Sequence, residues 1–511
     1  MSPRTFEEKI KTLAELSELC AAMQAEGKRI VQCHGVFDLM HPGHVRHFEA
    51  ARAQGDVLVV TVTPDRFVNK GPGRPVFNER LRAESVAALG SVAYAAITES
   101  PSAEDVIRLL RPAVYVKGSD YAEAKDDLTG KIADERRAVE ECGGRVHFTT
   151  EITFSSSSLL NLHFDVYPEE AREFLRDFRQ RHSGDEVIGL LKALQRLKVL
   201  VIGETIIDEY HYVQSMQKSP KELLVTTRYM REERFAGGIL ACANHAAGFC
   251  GQVDVVTVLG GTDSREEFIR GHLKSNVNPT FFYRQDTGTI VKRRYVEQAF
   301  LSKMFEVAFL DDGELPLSVS RQVERHLAAV LPRYDVVIVA DYGHGFLNRD
   351  LIRVLTAEAR FLAVNVQTNS ANLGYNLISK YPRADYVCID EPEVRLAAHD
   401  RRANLEEIIG RLAKDLSCRR VSITRGHKGC ISYAEPEGYF QVPVLSREIV
   451  DRIGAGDAYL SVTAPCAVAG YHPELVAFIG NAVGALAVRI VGNRTAVEPV
   501  PLFKFITALM Q

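Results

Sequence analysis

The sequence predicts an α/β protein of two domains, each built on a parallel sheet with helices packed against it. Three observations carry this. At 511 residues the chain is too long for one ordinary hydrophobic core. Short β-rich apolar runs alternate with helical stretches along most of its length. The alternation is interrupted once, by a charged helical stretch around residues 167–197.

Taken in order, an amphipathic helix is expected over residues 6–25, followed by strands in "RIVQCHG" (29–35), "DVLVVTVT" (56–63), "VAYAAI" (92–97), "AVYVKGSD" (113–120) and "GRVHFTT" (144–150). Helical segments such as "HVRHFEAARAQG" and "NERLRAESVAALG" lie between them, which makes βαβ units. After the charged stretch a second series begins with "KVLVIGETIID" and continues through "VDVVTVLGG", "DVVIVADYG", "FLAVNVQ", "YVCIDEP" and "RVSITRG" to a helix over 455–469. The domains are therefore expected at 1–165 and 197–511, with a helical linker over 166–196.

Composition narrows the class. The chain is 46% apolar and 25% charged, with a net charge of −4 and no basic block, so neither a nucleic-acid tail nor a membrane surface helix is indicated. Nine cysteines without a C-x-x-C pair suit reduced thiols better than a disulfide framework or a zinc site. The opening "MSPRTFEEKIKTLAEL" has no apolar h-region, and no apolar run reaches about 18 residues. A soluble cytoplasmic protein is the expectation.

The first chemistry lies in "HGVFDLMHPGH" (34–44). His41 and His44 stand three apart where a loop enters a helix, with Pro42 suited to the first helical turn. That spacing puts both imidazoles on one face, beside the free N–H groups of the helix N-terminus. Such an array suits phosphate oxygens that gain charge in an in-line displacement. Two surface histidines, or a metal pair, are the blander readings.

The segment "GVFDLMHPGHVRHFEAAR" (35–52) resembles the nucleotidyltransferase signature of the cytidylyltransferase-like family, in particular the adenylyltransferase half of bifunctional heptose kinase/adenylyltransferases. "KGPGRPVFNERLRAESVAAL" (70–89), "YVKGSDY" (115–121) and "FSSSSLLN" (154–161) extend the resemblance over nearly all of 28–165. It implies that His41, His44 and Lys70 act on the triphosphate. Gly35, Phe37, Arg82, Lys117, Gly118, Ser155, Ser156 and Ser157 would bind nucleotide or phosphate. Ala93 stands where that family usually has an acidic residue. His47 is expected to be a solvated helix residue, and the carboxylates of "KDDLTGK" (125–131) to be solvated charge.

The second chemistry lies in "DRIGAGD" (451–457). Gly454 and Gly456 flank Ala455 at a helix start, where backbone N–H groups can approach a phosphate, and Asp457 is placed to take a proton from an attacking hydroxyl. With "GETIIDEYHY" (203–212), "FAGGILACANHAAGFCGQVDVVTVLGG" (235–261), "VADYGHGFL" (339–347), "DEPEVRLA" (390–397) and "ITRGHKGC" (423–430), it resembles the ribokinase/PfkB sugar kinases over about 197–500. The resemblance implies Asp457 as base, Gly454, Ala455 and Gly456 as an anion hole, and Asp208, Gly237 and Gly238 toward the sugar. Thr424 and Gly426 would lie near the nucleotide. No protein ligand set for a metal is assigned, Glu393 being the one candidate.

Together the resemblances imply an N-terminal Rossmann-like nucleotidyltransferase α/β/α domain and a C-terminal ribokinase-like α/β/α domain with a small β lid. A lid strand pair is expected at "SPKELLVTTRYM" (219–230). The implied function is synthesis of a nucleotide-activated sugar or polyol, as for a surface polysaccharide: an ATP- and Mg²⁺-dependent kinase, and a nucleotidyltransferase using CTP or ATP and releasing pyrophosphate. The heptose kinases have Asn at Ala241, Lys at His344, an Asp-Pro-Lys run at 365–367 beginning with Asn365, and Asn at Asp390. Losing a buried hydrogen-bonding group costs roughly 1–3 kcal/mol, so a different sugar is expected. The alternative is an active nucleotidyltransferase whose kinase-like domain serves sugar binding or dimerisation. The expected partners are sugar phosphates, nucleotides and a second copy of the chain.

Overall fold

The computed structural model describes residues 5–68, 74–118, 131–149, 167–216, 225–311, 313–446 and 448–511. The chain divides into two compact units, Met1–Val166 with Phe503–Gln511, and Tyr167–Leu502. In the first, β1 (Ile30–Gly35), β2 (Val57–Val62), β3 (Tyr94–Ile97), β4 (Val114–Gly118) and β5 (Arg145–Thr149) form a parallel sheet in the order β3-β2-β1-β4-β5. Both faces are covered. Val31, Cys33, Leu58 and Val60 pack with Phe48 and Val86, and Ile30, Val57 and Val59 pack with Leu16, Cys20 and Leu110. Burial of each such side chain contributes about 1.5–3 kcal/mol, and two-sided burial is why these strands read as unbroken apolar runs.

Where one helix is expected over 6–25, two form, Phe6–Lys9 and Leu13–Ala25. Thr12 starts the second with a capping box to Glu15, and Ile10 bridges to Ala95 at the sheet edge, so the chain cannot stay helical between them. The helix Pro42–Arg52 begins where expected, with Pro42 in its first turn. Strand order reverses between β1 and β4, which opens a crevice at their carboxyl ends.

The second unit has a nine-stranded sheet. Its strands are β6 (Lys198–Gly203), β9 (Gln252–Gly260), β10 (Val277–Arg284), β13 (Val336–Asp341), β14 (Leu362–Val366), β15 (Tyr386–Asp390), β16 (Arg420–Thr424), β17 (Cys430–Ala434) and β18 (Gly438–Val442). The order is β10-β9-β6-β13-β14-β15-β16-β17-β18, parallel as far as β16. Its strand order reverses between β6 and β13. A separate sheet in the order β12-β11-β7-β8 forms the lid, from β7 (Thr205–Ser215), β8 (Thr227–Gly238), β11 (Ile290–Glu297) and β12 (Ser302–Phe309). The lid strand foreseen at 219–230 thus starts at Thr227, residues 217–224 lying outside those described, and three further strands complete the lid.

The stretch expected as a linker contributes the helices Glu169–Arg181 and Gly184–Ala193, both inside the second unit. Phe178 stacks on Phe478 at 4.4 Å, and Arg181 pairs with Glu474 at 2.6 Å. The apolar face that gave this stretch its helical periodicity therefore covers the helix Pro473–Ala487.

Candidate active sites

The first site sits at the carboxyl ends of β1 and β4. His41 caps the helix Pro42–Arg52, its Nδ1 accepting the Gly43 N–H at 3.2 Å. In the neutral ring that bond leaves the proton on Nε2, where it can be donated outward. His44 lies against it, ring centroids 3.9 Å apart, so the helix N-terminus presents both imidazoles together. Phe37 meets His44 edge-on at 5.7 Å and Phe48 at 4.9 Å. To put the ring there the backbone turns left-handed at Phe37 (φ 50°) and Leu39 (φ 49°), an uncommon choice for residues with a Cβ that clusters at functional loops. A Cβ on Gly35 would lie 3.0 Å from Phe37 Cζ, so Gly35 and Phe37 act together as a floor under His44.

Arg82 is turned into the protein. Its Nε donates to Phe77 O (2.9 Å), Nη1 to Val36 O (2.5 Å), and Nη2 to Thr63 O (2.8 Å) and Asp65 Oδ1 (2.6 Å). Where the resemblance implies a phosphate contact, the guanidinium instead joins the ends of β1 and β2 to the start of the helix Glu79–Ala87. Asp38, which motif reading passed over, closes the same loop by accepting the Val76 and Phe77 N–H groups at 2.8 and 3.1 Å.

At the end of β4, Lys117 Nζ lies 3.0 Å from Glu135 Oε2, and Gly118 pairs with Thr149 of β5. His47 is not solvated as expected: Nδ1 meets Thr149 Oγ1 at 2.8 Å. Burial, helped by the Lys117 charge, pushes its pKa down to about 4 and keeps it neutral. Lys70, Ser155, Ser156, Ser157 and the carboxylates of "KDDLTGK" lie outside the described residues.

The second site gathers at the carboxyl ends of β6, β13, β14, β15 and β16, beneath the lid. Gly454 precedes the helix Ala455–Val468 in a left-handed conformation (φ 80°), and a Cβ there would collide with Asn493 Oδ1. Asn493 Nδ2 donates to Asp208 Oδ2 at 3.1 Å, and a Cβ on Gly237 would collide with that same oxygen. Gly454, Asn493, Asp208 and Gly237 thus form one continuous contact chain between the loop that opens the helix Ala455–Val468 and the lid. Gly238 (φ 56°) turns β8 into the helix Ile239–Ala247.

Asp457, in the first turn of its helix, accepts the Tyr342 hydroxyl at 2.9 Å. Burial pushes its carboxyl up to about 6, opposed by the Tyr342 hydrogen bond and by Lys292. Tyr342, Asn493 and Lys292 are functional candidates that motif reading missed, because nothing local in the sequence ties them to Asp457. Asp451 was also missed. It accepts from Tyr210 (2.7 Å), Lys303 (2.5 Å) and the Gly492 N–H (2.9 Å), and so pins the lid to the loop that carries the glycines.

Thr424 ends β16 beside Asp390, and Gly426 takes φ 56° with open space where a Cβ would be. Asp390 caps the helix Glu391–Ala397 in a reciprocal box with Glu393, a role Asn fills equally well. Asn365 donates to Cys388 O at 2.7 Å, the His344 N–H donates to Glu204 at 3.0 Å, and Ala241 lies buried in the helix Ile239–Ala247. Glu393 accepts the N–H groups of Thr368 and Asp390 at 3.0 and 2.9 Å, and burial with Asp390 nearby pushes its carboxyl up to about 8. Both of its oxygens are thus engaged by backbone N–H groups. Among the described residues no cluster of three or more His, Cys, Asp or Glu could hold a metal ion.

Residues 196–499 match the model of the pfkB family carbohydrate kinases, and residues 33–161 that of the cytidylyltransferase-like family. The bifunctional protein HldE of Aliarcobacter butzleri is 42% identical over 138 residues, 27% of this chain and 29% of that protein. HldE of Geobacter sulfurreducens is 36% identical over 165 residues, 32% of each. The chain therefore spans about a third or less of these relatives' length, and the likeness lies in its N-terminal part. The crystal structure of phosphofructokinase-2 from Escherichia coli with substrates and products superposes with a TM-score of 0.51 at 14% identity, covering 62% of this chain and 100% of that one, a likeness of fold.

Proposed function

The chain belongs to the pfkB family of carbohydrate kinases, whose model covers more than half of it, and on that premise we propose a bifunctional transferase that makes a nucleotide-activated sugar or polyol. The observation that carries the kinase half is the Tyr342–Asp457 pair at the start of the helix Ala455–Val468. Asp457 takes the proton of the acceptor hydroxyl while its oxygen bonds to the γ-phosphorus of ATP and the bond to ADP breaks. The Gly454–Ala455–Gly456 N–H groups and the helix N-terminus stabilise the charge that develops. Asp208, with Gly237 and Gly238 beside it, orients the acceptor, and Thr424 and Gly426 border the nucleotide. Mg²⁺ carried on the nucleotide would neutralise its phosphates, and Glu393 is the one carboxylate assigned near it.

In the first unit, an oxygen of the sugar phosphate bonds to the α-phosphorus of ATP or CTP and pyrophosphate leaves. His41 and His44 donate to the phosphate oxygens, and Lys70, Lys117, Gly118, Ser155, Ser156 and Ser157 add further phosphate and nucleotide contacts. Gly35, Phe37 and Arg82 are positioning residues here, because their contacts fall on the loop that carries the imidazoles. The domains of the reading are 1–165 and 197–511, with the helices of 166–196 packed on the second. A homodimer through the outer lid surface suits the exposed Tyr229, Phe305 and Phe309. A reducing cytoplasm suits nine free thiols. No helix among the described residues is long and apolar enough to cross a membrane.

The test follows ADP and pyrophosphate release separately. His44→Ala should abolish pyrophosphate release and keep acceptor-dependent ADP release, and Asp457→Asn should do the converse. Loss of both activities in either variant would refute independent sites. Pyrophosphate release without any acceptor-dependent ADP would leave the second unit a binding or assembly module.

A further inference from the structure

The edge strand of the lid reaches the loop that opens the helix Ala455–Val468 through one charged side chain. Lys303, near the start of β12, places its Nζ 2.5 Å from Asp451 Oδ1. The two ends of this pair differ in exposure: the Lys303 side chain is 33% exposed and that of Asp451 only 4%. Among the described residues Lys303 is the one ion-pair partner of Asp451. The other donors to that carboxylate are neutral. Oδ1 accepts the Ile453 N–H at 3.1 Å, and Oδ2 accepts the Tyr210 hydroxyl at 2.7 Å and the Gly492 N–H at 2.9 Å. Burial pushes the Asp451 carboxyl up, but Lys303 and these three donors outweigh it and hold the group below the ordinary carboxylate range.

The places of those donors give the pair its consequence. Ile453 immediately precedes Gly454, and Gly492 immediately precedes Asn493, whose side chain lies against Gly454 and Asp208. One carboxylate therefore sets the bend of the 451–454 loop and ties it to the 492–493 turn. A buried carboxylate that loses its cation is costly to keep out of water, so without Lys303 the loop has to shift until Asp451 is hydrated. β12 pairs on one side only, with β11, so the cation comes from the strand of the lid that has the fewest main-chain ties. We propose that Lys303 is a positioning residue for phosphoryl transfer: docked on Asp451, it holds the 451–454 loop so that the N–H groups of Gly454, Ala455 and Gly456 converge on the transferred phosphate, and the anion hole is complete only while β12 is in place. Lys303 acts through Asp451 and not on the substrate. This inference rests on the kinase reading.

The experiment measures ADP release by the full chain over a panel of sugars, polyols and their phosphates. Lys303→Met should lower kcat about 30-fold while the KM for ATP stays within about twofold, because an anion hole acts on charge that develops only in the transition state. Lys303→Arg keeps the cation and should keep most of the rate. In Lys303→Ala, propylammonium replaces the atoms removed and should restore part of the loss, whereas tetramethylammonium at the same concentration, with no N–H to donate, should not. In an Asp451→Asn background, Lys303→Met should cost nothing further. An unchanged kcat in Lys303→Met, a loss that propylammonium does not relieve, or additive losses in the double variant would each overturn the proposal. If no acceptor supports ADP release by the wild type, the kinase reading fails by itself, and hydrogen exchange of the backbone amides of 450–456 then decides the role of Lys303. Exchange at least about tenfold faster in Lys303→Met, with the first unit unchanged, supports the hold on the loop, and equal exchange overturns it.

Discussion

Tyr342 and Asp457 meet through a hydroxyl–carboxylate hydrogen bond of 2.9 Å, and Tyr342 is held on every side by backbone contacts. Glu204 accepts its N–H at 3.0 Å, while Asn369 and Asn372 donate to its carbonyl at 2.7 and 3.2 Å. These contacts fix the main chain from which the buried phenol reaches Asp457, and its hydrogen bond favours the ionised form of a carboxyl that burial pushes up to about 6.

The pH profile follows from that balance. The base must be ionised to accept a proton, so ADP release should rise with pH through a limb near pH 6 and level off above it. Tyr342→Phe removes a contact that stabilises the carboxylate, which raises the pKa, and the limb should move up by about one unit. Profiles of kcat from pH 5 to 9 for both proteins check this, and coincident limbs would rule it out.

Gly237→Ala introduces a methyl group into the space of Asp208 Oδ2. Asp208 is held by Arg294 and Asn493 and has little room to yield. The acceptor KM of the kinase half should rise at least about tenfold, a loss comparable to one charge-assisted hydrogen bond. Pyrophosphate release from nucleotide and sugar phosphate should be unaltered, and a fall in that rate would show that the two units are not independent.

Two roles of His41 can be separated. His41→Asn keeps an N-cap while removing the imidazole, and His41→Ala removes both. Urea unfolding should place the Ala variant about 1 kcal/mol below the Asn variant, while both lose pyrophosphate release at least about 100-fold. Activity retained in His41→Asn would make the residue a cap and nothing more.

Arg82→Lys distinguishes a clamp from a phosphate ligand. The four protein acceptors around the guanidinium cannot all be reached by one ammonium. Stability of the first unit should drop by about 3 kcal/mol or more, with pyrophosphate release recovering on cooling. A normal unfolding curve with a raised nucleotide KM would instead return Arg82 to the phosphates.

Much of this architecture is legible in one dimension. The strands of both large sheets announce themselves because two-sided burial demands continuous apolar runs, and the helix after His41 because Pro42 and a capping residue mark its start. The lid was only partly legible. β7 and β11 carry Asp208, Tyr210, Lys292 and Arg294 toward the site, and their polar residues look solvated until the strands are paired. Tyr342, Asn493 and Asp451 were invisible as partners, since each acts on a residue more than 80 positions away. The helix expected over 6–25 divides because Thr12 opens its own capping box with Glu15 while Ile10 bridges to the sheet edge.

The contact chain Gly454–Asn493–Asp208–Gly237 also constrains how this protein can change. Gly237 is needed because of the side chain opposite it, and Gly454 both for that reason and for its left-handed backbone, so the positions should show strong epistasis: a larger residue at 237 becomes tolerable only after 208 has shortened, while 454 stays restricted by its φ of 80° even after 493 has. Single-site libraries would score all four as immutable. Paired libraries across the lid and the phosphate loop would find the routes by which the acceptor preference can drift, and would show whether phosphoryl transfer survives the journey.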